Sequence, residues 1–221
     1  MIDKCLSIIA PHHCLLCNLS GDLLCSSCKY DIVNEPYEGC ILCSKPTSDN
    51  NICSNCKVPY NKAWIVGERT DTLSQLVNIY KFFSTKSAHR DIASLLDLRL
   101  PELPKSTVVV PVPTIRRHVR ERGYDHTLLF SDRFSHMRNL ELQQAISRKT
   151  NTKQLGSSRK LRINQAKQAF EVNKQLDPNR PYLLIDDVIT TGATIHYATK
   201  ALLASGAKNV WVAIIAIQPL D

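Results

Sequence analysis

This sequence of 221 residues has no long apolar run, no recognisable secretion signal and no cysteine after residue 56. No apolar run approaches the ~18 residues that a membrane-spanning helix requires. The first ten residues contain a short apolar stretch but no small-residue cleavage site, which argues against secretion. With 43% hydrophobic and 22% charged residues, the composition excludes disordered and fibrous proteins. We therefore expect a globular cytoplasmic protein with one domain and a small module, or two small domains.

Cysteine is confined to the first 56 residues, which contain all nine. An odd count in a reducing cytoplasm disfavours a disulfide scaffold, and a redox dithiol would use a single pair. Two thiolates separated by two residues can face one metal ion from a tight turn, a spacing typical of zinc sites. The spacing leaves the pairing of the four Cys-x-x-Cys pairs open, either neighbouring or interleaved. The candidate ligands are Cys14 and Cys17, Cys25 and Cys28, Cys40 and Cys43, and Cys53 and Cys56.

Positive charge is concentrated in the middle of the chain. Residues 1–60 contain four lysines against six acidic residues, whereas residues 105–174 contain 15 lysines and arginines against five acidic residues. One interpretation is a solvated basic face. The other is a site for a polyanion, either nucleic acid or a small molecule rich in phosphates.

The composition changes near residue 62, which predicts a metal-stabilised module at 1–62 and an α/β domain at 63–221. The final strand, helix and strand predict a parallel sheet with a right-handed crossover. Residues 147–174 are polar and basic, and are either a functional or mobile loop or a β-ribbon. Apolar patterns predict strands at 63–67, 108–110, 182–185 and 210–217, and helices at 73–80, 89–98, 127–140 and 194–205.

The most informative segment is 182–194, in which an apolar strand leads into Asp186 and Asp187 and a loop of threonine and glycine opens a helix. Ligands of parallel α/β sheets bind at this edge. The loop amides and the helix N-terminus suit a phosphate, and the two acids suit a ribose diol or a metal attached to it. The alternative is a strand end with an Asp turn and a threonine cap.

The same segment resembles the binding motif for 5-phosphoribosyl 1-diphosphate (PRPP) of type I phosphoribosyltransferases. The chain as a whole resembles the ComF/GntX-like family, in which a phosphoribosyltransferase-like domain follows a double zinc ribbon. The resemblance implies an α/β fold with a parallel sheet flanked by helices and a small four-cysteine zinc-ribbon module. The matching blocks are Lys81-Phe82, 108–113, Arg116-Arg117, 120–124, 148–150, Gln154, Arg159, Asn164 and Ala169-Phe170, together with the cysteine pairs.

The resemblance also implies roles for individual residues. Asp186 and Asp187 would hold the ribose hydroxyls as the catalytic pair. The 5′-phosphate would lie on the loop, and Arg116 and Arg122 would face the pyrophosphate. Residues 147–170 would form a hood, with Mg²⁺ entering together with PRPP and structural Zn²⁺ in the cysteine module. The loop residues concerned are Thr190, Thr191, Gly192, Ala193 and Thr194.

The function implied is that of a competence protein supporting uptake of single-stranded DNA, with a DNA-import helicase or other competence proteins as partners. The alternative is an active phosphoribosyltransferase in nucleotide synthesis or salvage. We expect no membrane span, a cytoplasmic location, and contact with the inner membrane face only through partners. The candidates for nucleic-acid binding in the hood are Arg148, Lys149, Lys153, Arg159, Lys160 and Arg162.

One departure from the family pattern stands beside the expected pyrophosphate region. Asp125 and His126 occupy the positions where the family has asparagine and glutamine, so a carboxylate replaces an amide. Within the basic stretch, we expect His118 and His126 to be solvated, with contact to a phosphate as the alternative.

Overall fold

The N-terminal module is built from short elements. The computed structural model describes residues 12–47, 52–69, 71–82, 86–148 and 170–218. Strands β1 (His12–His13) and β2 (Ser20–Gly21) pair antiparallel and precede helix α1 (Ser26–Asn34). The segment from 35 to 47 contains one isolated antiparallel bridge, between Gly39 and Pro46.

The α/β region begins with strand β3 (Lys62–Glu68), followed by helices α2 (Asp71–Phe82) and α3 (Ala88–Arg99). The helical spacing of four apolar residues on α2 predicted one buried face, and all four are buried: Leu73, Leu76, Val77 and Tyr80.

The middle of the chain contains β4 (Val108–Pro111), α4 (Arg116–Arg122), α5 (His126–Arg138) and β5 (Glu141–Leu142). Sequence patterns did not predict α4, because this seven-residue basic helix buries none of its residues and so lacks an apolar period. Gly123 ends it in the left-handed conformation, with φ 78°.

Two short strands lie at the ends of the segment for which a β-ribbon was one of the sequence interpretations. Strand β6 (Ile146–Arg148) pairs antiparallel with β7 (Phe170–Val172), and the residues between them lie outside the described part of the chain. Strand β8 (Pro181–Ile189), helix α6 (Ala193–Ala204) and strand β9 (Asn209–Ile217) follow. The sequence predicted that the strand ends at 185, but β8 continues through both aspartates.

The central sheet has the order β3-β9-β8-β4-β5 with every neighbouring pair parallel, which confirms the predicted fold class. From β4 the chain moves to β5 on one side, and from β8 it moves to β9 on the other. The gap between β4 and β8 is therefore the point where the winding direction reverses. Ligands of such sheets bind in the crevice beyond this point.

Two apolar cores cover the two faces of the sheet. Leu183 and Ile185 of β8 pack with α2, α3 and α5, whereas Tyr182 and Leu184 pack with α6. The first core also contains Leu24 of the N-terminal module, and the second contains Ile41. The module thus packs against both faces beside β3. Among the described residues, no helix combines the length and apolar character needed to span a membrane.

Candidate functional site

The cysteine side chains form two separate groups of four. Within each group the sulfur atoms lie within 4.8 Å of one another, a spacing that one metal ion can bridge. All eight thiols are free of disulfides. The structure therefore decides the pairing that the sequence left open, because neighbouring pairs combine and interleaved pairs do not. The first group is Cys14, Cys17, Cys25 and Cys28, and the second is Cys40, Cys43, Cys53 and Cys56.

The backbone around these cysteines is shaped to present sulfur to a common centre. In three of the four pairs the residue after the second cysteine has a positive φ: Asn18 (60°), Ser44 (57°) and Lys57 (45°). In the turn from Cys40 to Cys43, the backbone N–H of Leu42 donates to Cys40 Sγ at 3.3 Å. Amide donors of this kind stabilise thiolates, which are the metal-binding form of cysteine.

A cavity of about 350 Å³ lies at the reversal point between β4 and β8. Its walls come from the ends of α2, β4 and β8, from the turn after β4, and from β6. It brings together two carboxylates and several cationic groups that are distant in sequence. The ionisable side chains lining it are Arg69, Lys81, His118, Arg122, His126, Arg148, Asp186 and Asp187.

The carboxylate of Asp187 contacts two donors, the ammonium group of Lys81 and the imidazole ring of His126. Its Oδ2 lies 2.6 Å from Lys81 Nζ and 2.6 Å from His126 Nε2. Burial raises the pKa of Asp187, but Lys81 and His126 outweigh this effect and hold the pKa well below its usual range. Asp187 is therefore ionised at neutral pH.

Asp186 lies in a different environment from its neighbour. Successive residues of a strand face opposite sides of the sheet, so Asp186 points away from Lys81 and towards the side of β6. Burial and the charge of Asp187 together raise the pKa of Asp186 to about 7. The backbone N–H of Asp187 and the charges of Lys81 and Arg148 oppose this rise. The two adjacent carboxyls thus have pKa values shifted in opposite directions, and Asp186 is protonated more readily than Asp187.

The loop after β8 forms one edge of the cavity, through Thr190 and Thr194. Gly192 is the N-cap of α6 and has φ 70°, a conformation that favours glycine. A Cβ built on Gly192 would come within 2.4 Å of Leu42 Cδ2 and 3.1 Å of the Ile41 carbonyl. The second cysteine group therefore contacts the loop directly. Sequence patterns gave no sign of this contact.

The turn after β4 is fixed by Asp125, one of the two residues that depart from the family pattern. Its carboxylate accepts hydrogen bonds from Thr114 Oγ1 (2.7 Å) and from the backbone N–H of Leu128 (3.1 Å), which caps α5. A carboxylate is a good N-cap, so the substitution preserves the turn. Asp125 accordingly has a structural role here.

His126 is buried, so the prediction that it is solvated is wrong. Arg122 Nη1 lies 2.9 Å from the Nδ1 of His126. An arginine can only donate, so Nδ1 accepts, and the ring proton is on Nε2, which donates to Asp187. Sequence patterns did not predict this role, because no apolar periodicity at the start of α5 indicates that His126 is buried. His118 is half-buried in the cavity wall.

The remaining predicted residues lie in several places. Arg122 lines the cavity, whereas Arg116 is exposed on α4. Arg148 is half-buried rather than free on the surface, because its Nε donates to the Pro113 carbonyl (3.1 Å) and its guanidinium lies over the Phe170 ring. The other five hood candidates lie outside the described residues: Lys149, Lys153, Arg159, Lys160 and Arg162.

Phe82 at the end of α2 is an aromatic side chain at the mouth of the cavity, and its exposed fraction is 67%. The guanidinium of Arg122 lies 5.4 Å from the centre of its ring. Exposed phenylalanine is unfavourable in water, and a cation beside its face leaves the remaining ring surface open to a planar ligand.

Comparison with known proteins gives the family. Competence protein F of Haemophilus influenzae is 32% identical over 203 residues, which cover 86% of this chain and 88% of that protein. The chain belongs to the competence protein F family. Competence protein ComFC of Bacillus subtilis is 26% identical over 83% of this chain and 79% of its own length. The DNA utilization protein YhgH of Escherichia coli K12 is 24% identical over 86% of this chain and 94% of its own length.

These relatives confirm the ComF/GntX-like resemblance of the sequence. No family model matches the chain. Two solved structures are similar: an allosteric regulatory enzyme of purine biosynthesis, with a TM-score of 0.40 and 14% identity, and a B. subtilis glutamine PRPP amidotransferase, with 0.39 and 15%. Each match covers 58% of this chain, and the chain spans about a quarter of the length of either protein.

Proposed function

We propose that this competence protein F family member acts in the uptake of single-stranded DNA and binds PRPP in the cavity between β4 and β8. The observation that supports PRPP binding is that one cavity contains both the carboxyls of Asp186 and Asp187 and several cationic side chains. The carboxyls suit the ribose hydroxyls. The loop at 190–194 suits the 5′-phosphate, and Lys81, Arg122 and Arg148 suit the pyrophosphate.

The described chain has a larger cleft that does not suit this ligand. It has a volume of about 740 Å³ and lies between α1, the segment at 35–47 and the ends of β3 and α2. The side chains of its lining that are charged at neutral pH are all carboxylates, namely Asp31, Glu35, Glu38 and Glu68. Such a surface repels phosphates, so the smaller and cationic cavity is the better candidate.

The proposal includes two metals with different roles. The two groups of four thiolates fit structural Zn²⁺, which would stabilise the short segments of the N-terminal module. Mg²⁺ would enter the cavity with the diphosphate, because Oδ2 of Asp187 is already occupied by Lys81 and His126. When bound, Mg²⁺ would neutralise pyrophosphate charge.

Single-stranded DNA binding rests on charge and on one aromatic side chain. The basic stretch at 105–174 offers phosphate contacts, and Phe82 offers a ring on which a base can stack. Reversing the charges of the hood candidates Arg148, Lys149, Lys153, Arg159, Lys160 and Arg162 should weaken binding. Affinity should also fall steeply with salt. Fluorescence anisotropy with a labelled oligonucleotide, with and without PRPP, measures both.

Phosphoribosyl transfer is the second candidate function. The cations around the cavity would stabilise charge on departing pyrophosphate, and this arrangement favours catalysis as well as binding. Pyrophosphate release in the presence of a nucleobase acceptor distinguishes transfer from binding alone.

Exposed apolar side chains on the first cysteine group favour a partner protein, such as a DNA-import helicase. Leu19 and Tyr30 are each 61% exposed. Co-purification of competence proteins with the wild type, and its loss in a Leu19→Ser/Tyr30→Ser variant, tests this interaction.

The function as a whole is tested by natural transformation in cells that depend on this chain. The Asp186→Asn/Asp187→Asn variant should reduce transformants at equal protein level, whereas the exposed-site control Asp22→Asn/Asp132→Asn should not. Normal transformation with the first variant would show that the cavity has no part in DNA uptake.

A further inference from the structure

The second cysteine group and the loop after β8 meet at one close contact. Cδ2 of Leu42 occupies the space that a Cβ at Gly192 would need, at 2.4 Å, and the Ile41 carbonyl lies on the same side. Both residues stand between Cys40 and Cys43, so the tip of this cysteine turn rests on the backbone of the loop. The turn formed by residues 40–43 is the second knuckle.

The contact falls on the part of the loop that sets its shape. Gly192 has a left-handed backbone, and its carbonyl accepts the N–H of His196 at 2.9 Å, which begins α6. The amides that follow would face a phosphate at this helix N-terminus. A side chain packed on Gly192 therefore restricts the backbone that carries these donors.

The second knuckle is itself firmly held. Ser44 N–H donates to the Cys40 carbonyl at 2.9 Å, and Cys40 N–H donates to the Lys45 carbonyl at 2.8 Å. Ile41 is 2% exposed and packs into the core on the α6 face of the sheet. The knuckle is thus a rigid support when its thiolates are held together.

The first cysteine group provides a contrast within the same chain. The turn from Cys14 to Cys17 has the same spacing and also has leucine at its third position. This residue, Leu16, is 50% exposed and lies in the acidic cleft, away from the loop. Two turns of matching sequence therefore differ in what their third residue contacts.

We infer that Leu42 is a positioning residue for the loop after β8, through which the second knuckle orders the amides that receive the 5′-phosphate. The inference rests on the proposed PRPP site and adds a task for the cysteine module beyond its own folding. Because linkage is reciprocal, a ligand bound to the loop would also favour the conformation of the second knuckle in which Leu42 packs on Gly192.

The test compares Leu42→Ala with Leu42→Met and with the matched control Leu16→Ala. Zinc content should be equal in all four proteins, including the wild type. By calorimetry, Leu42→Ala should weaken ribose 5-phosphate about tenfold, a size typical of uncoupling two residues in direct contact. Binding of inorganic pyrophosphate should stay unchanged, because pyrophosphate does not use the loop. Leu42→Met should restore most of the affinity, and Leu16→Ala should match the wild type.

Hydrogen exchange of the amides at 190–194 decides the inference without any ligand. Exchange should be faster in Leu42→Ala than in Leu16→Ala, while exchange in β8 and β9 is the same in both. Equal loop exchange in the two variants would overturn the inference. If the wild type binds no ribose 5-phosphate or PRPP, the proposed function fails, and the exchange comparison still decides whether Leu42 orders the loop.

Discussion

His126 Nε2 lies 2.6 Å from Asp187 Oδ2, and both side chains are almost fully buried. The same ring accepts from Arg122 through Nδ1. One histidine thus connects a carboxylate at the end of β8 to a cation at the end of α4. In the proposed site Asp187 faces the ribose and Arg122 faces the pyrophosphate. His126 therefore links the residues that would bind these two parts of the ligand.

Removal of this ring should destabilise the fold. His126→Ala leaves the buried carboxylate with one partner fewer and should lower the free energy of unfolding by about 1–3 kcal/mol. His126→Gln, the family residue, keeps an N–H donor and should lose less. Urea denaturation of the three proteins measures the difference. An alanine variant as stable as the wild type would show that the hydrogen bond contributes nothing.

The raised pKa of Asp186 predicts a pH dependence of stability. The carboxyl ionises near pH 4 in the unfolded chain, roughly 3.9 for a model peptide, and at about 7 when folded. Between these values the folded chain binds more protons, so stability falls as pH rises from 4 to 7. Above pH 7 the full penalty for ionising a buried carboxyl is present.

The Asp186→Asn substitution removes the free-energy penalty for ionising this buried carboxyl. The variant should therefore be more stable than the wild type at pH 8, with Tm higher by about 3–8 °C. The advantage should shrink as the pH falls towards 5. Thermal denaturation of both proteins across this range measures it, since titrations common to both cancel in the difference. A constant difference at every pH would contradict the assigned pKa.

Metal analysis tests the two cysteine groups. Protein purified without chelator should contain two Zn²⁺ per chain, and Cys40→Ser/Cys43→Ser should contain one, because the groups share no ligand. Zinc near zero in the wild type would contradict the metal sites. Loss of both ions in the variant would show that the groups are not independent.

The strands and the main site motif follow from the sequence because their signals are local. Four apolar residues before Asp186 predict a buried strand, and the glycine at 192 predicts the turn into α6. The positions of Lys81 and His126 could not be predicted, because tertiary packing of α2 and α5 brings them to Asp187. Helix α4 was missed since it buries nothing, and its polar residues carry no helical period.

The pairing of the cysteines shows the same limit. Spacing identifies each Cys-x-x-Cys turn, but which turns share a centre depends on the path of the chain between them. The contact of Leu42 with Gly192 joins residues 150 positions apart in the sequence. Such a contact leaves no local pattern to detect.

Phe82 predicts a base-stacking contribution to DNA binding. Phe82→Ala should weaken binding of a single-stranded oligonucleotide roughly tenfold. The slope of affinity against salt should not change, because no phosphate contact is lost. Phe82→Trp should retain affinity, and Leu98→Ala, a half-exposed control on α3, should match the wild type. If the alanine variant changes the salt slope and leaves low-salt affinity intact, the ring does not stack on bases.

Calorimetry of PRPP binding in the presence of Mg²⁺ tests whether the cavity between β4 and β8 is the PRPP site. Asp186→Asn/Asp187→Asn should weaken PRPP on the order of 100-fold, since two carboxyl contacts to the ribose are lost. Inorganic pyrophosphate should bind both proteins alike, and Asp22→Asn/Asp132→Asn should bind PRPP as the wild type does. Equal PRPP affinity in the wild type and the Asp186→Asn/Asp187→Asn variant would contradict the assignment of the cavity between β4 and β8 as the PRPP site.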